Sequence, residues 1–162
     1  MKLPPFKTEQ WMNIYENDAV YNLTDTCVSP LTFKQLLAMD HSSLLDTLKL
    51  DYGVIAGDQR LRKSILGLYQ TGTIDNITLA DGCLHANELV MNTLLEPGDH
   101  VVTFTPGYQQ FSEIPRSLGC EVTEIPLHEE NHWQPERDDI EAAFRDHPIR
   151  LAIMNLPNNP TG

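Results

Sequence analysis

Three short stretches of this 162-residue chain combine residue types that hold a small, planar, anionic ligand. The first is Ala80-Asp81-Gly82-Cys83-Leu84-His85-Ala86, where an apolar tetrapeptide, Ile77-Thr78-Leu79-Ala80, runs through a glycine straight into a helical pattern. The amide N–H groups of a helix's first turn lack intrahelical acceptors, and the helix dipole adds positive potential there, so the junction is a candidate anion site. Gly82 permits close approach of backbone to a phosphate. Asp81 complicates this, because a carboxylate at the N-cap competes for the same N–H groups. The second stretch, Thr105-Pro106-Gly107-Tyr108, puts an aromatic ring at a strand's carboxyl end, where it can stack on a planar heterocycle. The third is Asn155-Leu156-Pro157-Asn158-Asn159-Pro160-Thr161-Gly162. A following proline restricts the backbone of Asn159, so its carboxamide is aimed in a defined direction as both donor and acceptor. Each stretch has a plain alternative: an ordinary strand–glycine–helix junction, a half-buried packing tyrosine, and a turn.

A fourth stretch imitates chemistry. His128-Glu129-Glu130-Asn131-His132 matches the H-E-x-x-H pattern of zinc hydrolases, which works only when a helix puts both histidines on one face. Pro126 and Pro135 bracket it and no apolar periodicity runs through it, so a solvated acidic loop is expected and no metal site. Cys27, Cys83 and Cys120 have no disulfide or metal-ligand spacing and are expected to be reduced and buried.

The elements that must position these residues alternate. Strands are expected at Ile77–Ala80, His100–Phe104, Glu121–Leu127 and Leu151–Leu156, with helices at Cys83–Leu95, Gln109–Leu118 and from about Asp138 to Arg145. Glu96-Pro97-Gly98-Asp99 is a turn and Gly119 a C-cap. Such alternation signals a largely parallel sheet with helices on its faces, and ligands bind where loops leave the carboxyl ends of its strands. Upstream, residues 1–30 read as an arm, with a short amphipathic helix through Trp11, Met12, Ile14 and Tyr15 and a loop from Asp25 to Pro30. Thr32 is expected to cap Phe33–Met39, with Leu36 and Leu37 on the buried side. A further helix spans Asp58–Tyr69, its Leu61, Ile65, Leu66 and Leu68 inward and Arg60, Arg62 and Lys63 outward.

Composition bounds the possibilities. The apolar fraction of 41% and charged fraction of 21% are those of a folded globular chain. A net charge of -12 repels phosphate backbones and argues against nucleic-acid binding. No apolar run approaches a membrane span, and Met1-Lys2-Leu3-Pro4-Pro5 lacks a signal core, so no membrane partner and a cytoplasmic location are expected.

In order and spacing, Tyr52 to Gly57 followed by Leu61-Arg62, Gly82-Cys83-Leu84 after a strand, Glu96-Pro97-Gly98-Asp99-His100-Val101, Pro106-Gly107-Tyr108 with Phe111, and Asn158-Asn159-Pro160-Thr161-Gly162 resemble the amino-terminal part of a class I/II, fold-type I aminotransferase dependent on pyridoxal 5'-phosphate. The arm and Gly82 to Asn87 resemble the capreomycidine-synthase-like branch. The resemblance implies part of a three-layer α/β/α large domain with a mostly parallel sheet: residues 1–30 as arm and substrate-side loop, and 31–162 as the first part of the cofactor-binding domain, cut after the Asn-Pro-Thr-Gly loop. It implies that the backbone N–H groups of Cys83 and Leu84, beside Gly82, hold the cofactor phosphate. Tyr108 would stack on the pyridine ring, Asn159 would bond its phenolic oxygen, and Tyr52 would reach the phosphate of the other subunit of a homodimer. Cys27, Val28 and Ser29 would lie by the substrates, an amino acid and a 2-oxo acid. Leu84 departs from the Ser or Thr of many relatives, and with it a side-chain bond to the phosphate is lost. The Schiff-base lysine of that family follows the Asn-Pro-Thr-Gly motif. The five lysines here (Lys2, Lys7, Lys34, Lys49 and Lys63) all precede it, so no catalytic residue carries over and the 162 residues alone are expected to be inactive. A non-catalytic product that needs a partner chain is the alternative, and a zinc hydrolase through His128 and His132 a remoter one.

Overall fold

The computed structural model describes residues 3–24, 27–39 and 47–162. Asp25 and Thr26 of the expected Asp25–Pro30 loop lie outside them. Two compact units form: Met1–Ile14 with Ala80–Gly162, and Tyr15–Leu79.

The first unit is built on β1 (His100–Thr105), β2 (Glu121–Pro126) and β3 (Ile149–Ala152), all parallel, in the order β2-β1-β3. The connections are helical: α5 (Gln110–Ser117) joins β1 to β2, and α6 (Arg137–Asp146) joins β2 to β3. Helix α4 (Cys83–Leu94) precedes the sheet. Successive side chains of a strand point to opposite faces, and β1 buries both. Val101 packs with Met91 and Leu95 at the end of α4, with Ile114 of α5 and with Cys120. Val102 packs with Ile125 and with Ala143 of α6. Helices therefore cover both faces of a parallel sheet, the mixed α/β architecture that the alternating pattern predicts.

Two strands differ from expectation. Ile77–Ala80 carries no ladder among the described residues, because a strand exists only where a neighbour takes its hydrogen bonds. The last strand is Ile149–Ala152, not Leu151–Leu156. Its pairing with β1 ends at Ala152–Val102, with Ile153 N–H donating to Val102 O as the final bond, and the chain then leaves the sheet.

The second unit is helical and thinly packed. It holds α2 (Phe33–Met39) and α3 (Gln59–Leu66); the arm helix α1 (Lys7–Tyr15) ends at its border. Thr32 caps α2 as expected, its Oγ1 accepting from Gln35 N–H while Gln35 Oε1 accepts from Thr32 N–H. Leu36 and Leu37 are nonetheless exposed, as are Leu61 and Leu68. Asp58 caps α3, accepting from the amides of Arg60 and Leu61; bonded also to the Arg60 guanidinium, its carboxyl is held down to about 2. Arg62 corrects the outward expectation. Its guanidinium is mostly buried and donates to the carbonyls of Ile77 (2.9 Å) and Ile74 (2.7 Å). A fork with several donors satisfies carbonyls that have no sheet partner. Gly57, at φ +89°, lies where a Cβ would sit 2.7 Å from Leu79 Cδ1, which explains the glycine in the Tyr52–Gly57 stretch.

All three cysteines are thiols, as expected, but only Cys120 is buried; Cys27 and Cys83 are exposed. Among the described residues no helix is long and apolar enough to cross a membrane.

Candidate functional site

Three loops meet at the carboxyl end of the sheet. The first is the start of α4. Gly82 adopts φ +90°, a conformation that favours glycine, and a Cβ there would meet nothing within 4 Å. No side chain caps the helix from that position. Asp81 does not compete for the first-turn amides. Its carboxylate is fully exposed, 4.0 Å from His85 Nδ1, and its own N–H donates to that nitrogen at 3.2 Å. The amides of Cys83 and Leu84 thus face open space at the positive end of a 12-residue helix.

The second loop follows β1. Tyr108 is half-buried, its ring set edge-on to Phe111 with centroids 6.0 Å apart. Its hydroxyl donates to Glu9 Oε1 at 2.8 Å. That bond, then burial, then the charges of Glu9 and Cys83 push the phenol above its usual range. Gln110, fully buried, ties the two loops mechanically: its Nε2 donates to Leu84 O, and its Oε1 accepts from Asn87.

The third loop follows β3. Asn158 Nδ2 donates to Pro106 O at 3.0 Å and to Thr161 Oγ1 at 2.9 Å, which pins this loop to the one bearing Tyr108. Asn159 N–H donates to Asn155 Oδ1 at 2.8 Å, and the residue is exposed. Beside Tyr108, on the arm side, lies a cavity of about 540 Å³ with Thr103 in its wall; the Thr103 hydroxyl is buried without a partner among the described residues.

Of the residues singled out by sequence, Gly82, Cys83, Leu84, Tyr108 and Asn159 all stand on these three loops. Tyr52 and Cys27, Val28 and Ser29 belong to the second unit, where all four are exposed. Sequence reasoning missed the residues that join the loops. Asn158 was legible only as the neighbour of Asn159, and Gln110 only as a polar residue of the helix expected over Gln109–Leu118. His128 and His132 flank a single 3-10 turn, Glu129–Asn131, with His132 in the left-handed region. They share no α-helical face, and the described residues contain no cluster of three or more potential metal ligands.

A parallel sheet covered on both faces, with its loops gathered at the carboxyl edge, is the architecture of the fold-type I pyridoxal-phosphate enzymes. The structure superimposes on a PLP-dependent aminotransferase from Streptococcus suis with a TM-score of 0.89 and 37% identity, over 99% of this chain and 44% of that one. The family model for aminotransferase class I and II matches residues 33–162, and the chain belongs to that family, whose members are pyridoxal-phosphate-dependent. It is 32% identical to capreomycidine synthase of Streptomyces vinaceus, over 99% of this chain and 42% of the relative. It is 33% identical to valine–pyruvate aminotransferase of Mycobacterium tuberculosis, over 70% of this chain and 30% of the relative. The chain spans less than half the length of these proteins.

The residues present suit the cofactor. Open space over Gly82 leaves room for a phosphate, and the helix start beside it has no side-chain cap on its amides.

Proposed function

We propose that these residues form the phosphate- and ring-holding part of a pyridoxal-phosphate site in an enzyme that moves an amino group between an amino acid and a 2-oxo acid. The observation that carries this reading is the Asn158–Pro106 bond, which together with the Gln110–Leu84 bond links the three loops to one another. The cofactor, when bound, supplies an electron sink for the bond electrons released at the α-carbon of the amino acid. The chain's own residues bind and orient. The Cys83 and Leu84 amides hold the phosphate, the Tyr108 ring covers one face of the pyridine, and the Asn159 carboxamide donates to the phenolic oxygen. Leu84 brings no hydroxyl, so the phosphate is held here by backbone alone. Tyr52, fully exposed, serves the phosphate of a second copy in a homodimer, and Cys27–Ser29 line the substrate side. Residues 31–162 are the first part of the cofactor domain, and 1–30 the arm. Proton transfer at the α-carbon needs a lysine that these 162 residues do not place after Asn159, so alone they do not transaminate.

Quenching of Trp fluorescence on titration of the chain tests the phosphate site. Pyridoxal phosphate is expected to bind about tenfold tighter than pyridoxal, and Gly82→Val to remove the difference. Equal affinity for the two ligands overturns the phosphate site, and 2-oxo acid formation by the 162 residues overturns the need for an outside lysine. The match to capreomycidine synthase over 99% of this chain favours a second reading, in which the reaction is a synthase reaction like that relative's. A complete enzyme that binds the cofactor and consumes an amino acid without forming a 2-oxo acid would decide for it.

A further inference from the structure

The arm is fastened to the loop that carries the stacking ring by three hydrogen bonds, each linking residues about a hundred positions apart. Glu9 Oε1 accepts from the Tyr108 hydroxyl at 2.8 Å, Gln109 Oε1 accepts from Lys7 N–H at 3.1 Å, and Gln109 Nε2 donates to Pro5 O at 3.3 Å. Arm residues 5, 7 and 9 thus meet the consecutive pair Tyr108 and Gln109. Without Glu9, the ring is held by its backbone and by an edge contact with Phe111, which leaves rotation about its side-chain bonds open. With Glu9, the ring is fixed at both ends. A phenol that donates to a carboxylate is also more electron-rich, which strengthens its stacking on an electron-poor pyridinium.

We propose that Glu9 is a positioning residue for the cofactor: through the Tyr108 hydroxyl it locks the ring plane against which the pyridine stacks. This rests on the reading of Tyr108 given under Proposed function and extends the site to the arm. Its role is to remove a rotational freedom that cofactor binding would otherwise have to freeze out.

Two measurements on the 162-residue chain separate the parts of this idea. Ultraviolet titration of the tyrosines, with Tyr108→Phe subtracted, isolates the Tyr108 phenol. It is expected to titrate above the ordinary tyrosine range in the unaltered protein and to fall toward that range in Glu9→Ala. Fluorescence titration with pyridoxal phosphate is expected to show about threefold to tenfold weaker binding for Glu9→Ala, with most of the loss recovered in Glu9→Gln, whose Oε1 accepts the same bond. Tyr108→Ala should weaken binding at least as much as Glu9→Ala. An unchanged Tyr108 titration in Glu9→Ala overturns the proposal whatever the cofactor does. A shifted titration with unchanged affinity, while Tyr108→Ala still weakens binding, overturns the positioning role and leaves the stacking ring standing. If Tyr108→Ala also binds normally, the reading of Tyr108 fails, and the role of Glu9 with it.

Discussion

The two units treat their apolar residues in opposite ways. In the unit that contains the sheet, Val101 and Val102 are 0% and 1% exposed, and every buried apolar residue among those described lies between Met91 and Ala143. In the unit from Tyr15 to Leu79, Leu50, Tyr52 and Ile55 are 100%, 104% and 103% exposed, and no described residue is buried. The apolar content of the two stretches does not explain this. A parallel sheet offers two faces that helices can cover, and each covering helix is supplied by the connection between neighbouring strands. Short helices joined by loops, with no sheet to pack on, leave their apolar side chains in water. Such surface is characteristic of protein surfaces that contact other protein.

Paired substitutions test the contrast most directly. Ile125→Ala, which deletes buried side chain from the cluster with Val102 and Ala143, is expected to cost about 2–5 kcal/mol. Ile55→Ala, at full exposure, is expected to change stability by no more than about 0.5 kcal/mol. Denaturant unfolding followed by circular dichroism reads both, and comparable losses would break the contrast. The next effect in size concerns Arg62, a mostly buried side chain of the second unit. Arg62→Ala removes the guanidinium donor of the Ile77 carbonyl and leaves the Ile74 carbonyl with the Ile77 N–H alone, and is expected to cost that unit about 1–3 kcal/mol, seen as faster amide exchange across residues 59–79. Arg62→Lys should recover only part, since an ammonium cannot reproduce the planar fork. Unchanged exchange in Arg62→Ala would show that this unit does not depend on the bond.

The smallest effect belongs to the sheet unit and depends on pH. His100, at the start of β1, stacks on His147 with ring centroids 4.0 Å apart and bonds Thr123 Oγ1 through Nε2. Burial, and then the charge of His147, lower its pKa from 6.5, while Glu121 at 3.5 Å opposes them. The folded state therefore resists a proton that the unfolded chain accepts. Stability is full above about pH 6.5 and is lost as the pH falls through that value toward the lowered folded one. Urea midpoints measured from pH 8 to pH 5 should decline over this window, with a smaller slope in His100→Asn. An equal slope in the variant would assign the decline to other groups.

Much of the fold was legible from local pattern. The helix from Cys83, the strands at His100 and Glu121 and the cap at Thr32 follow from periodicity and capping chemistry, which are properties of neighbouring residues. What failed were inferences that depend on distant partners. Ile77–Ala80 has strand composition but no ladder, and Leu36 and Leu37 have core composition but no cover. Arg62 looks like a surface charge in a helical repeat and is in fact the donor for two distant carbonyls.

The candidate site divides in the same way. By itself, the sequence determined the kinds of group available: a glycine before a helix, an aromatic ring and a carboxamide, each after a strand, and no lysine beyond Lys63. Their order and spacing were enough to reveal the family. Only the tertiary structure decided that Asp81 does not compete for the first-turn amides, that Gln110 and Asn158 bind the three loops together, and that the arm reaches Tyr108 through Glu9. The physical reason is the range of the forces. Helix caps and strand patterns act over three or four residues and leave a local trace. A hydrogen bond between residues a hundred positions apart leaves none, because nothing in either neighbourhood anticipates the other.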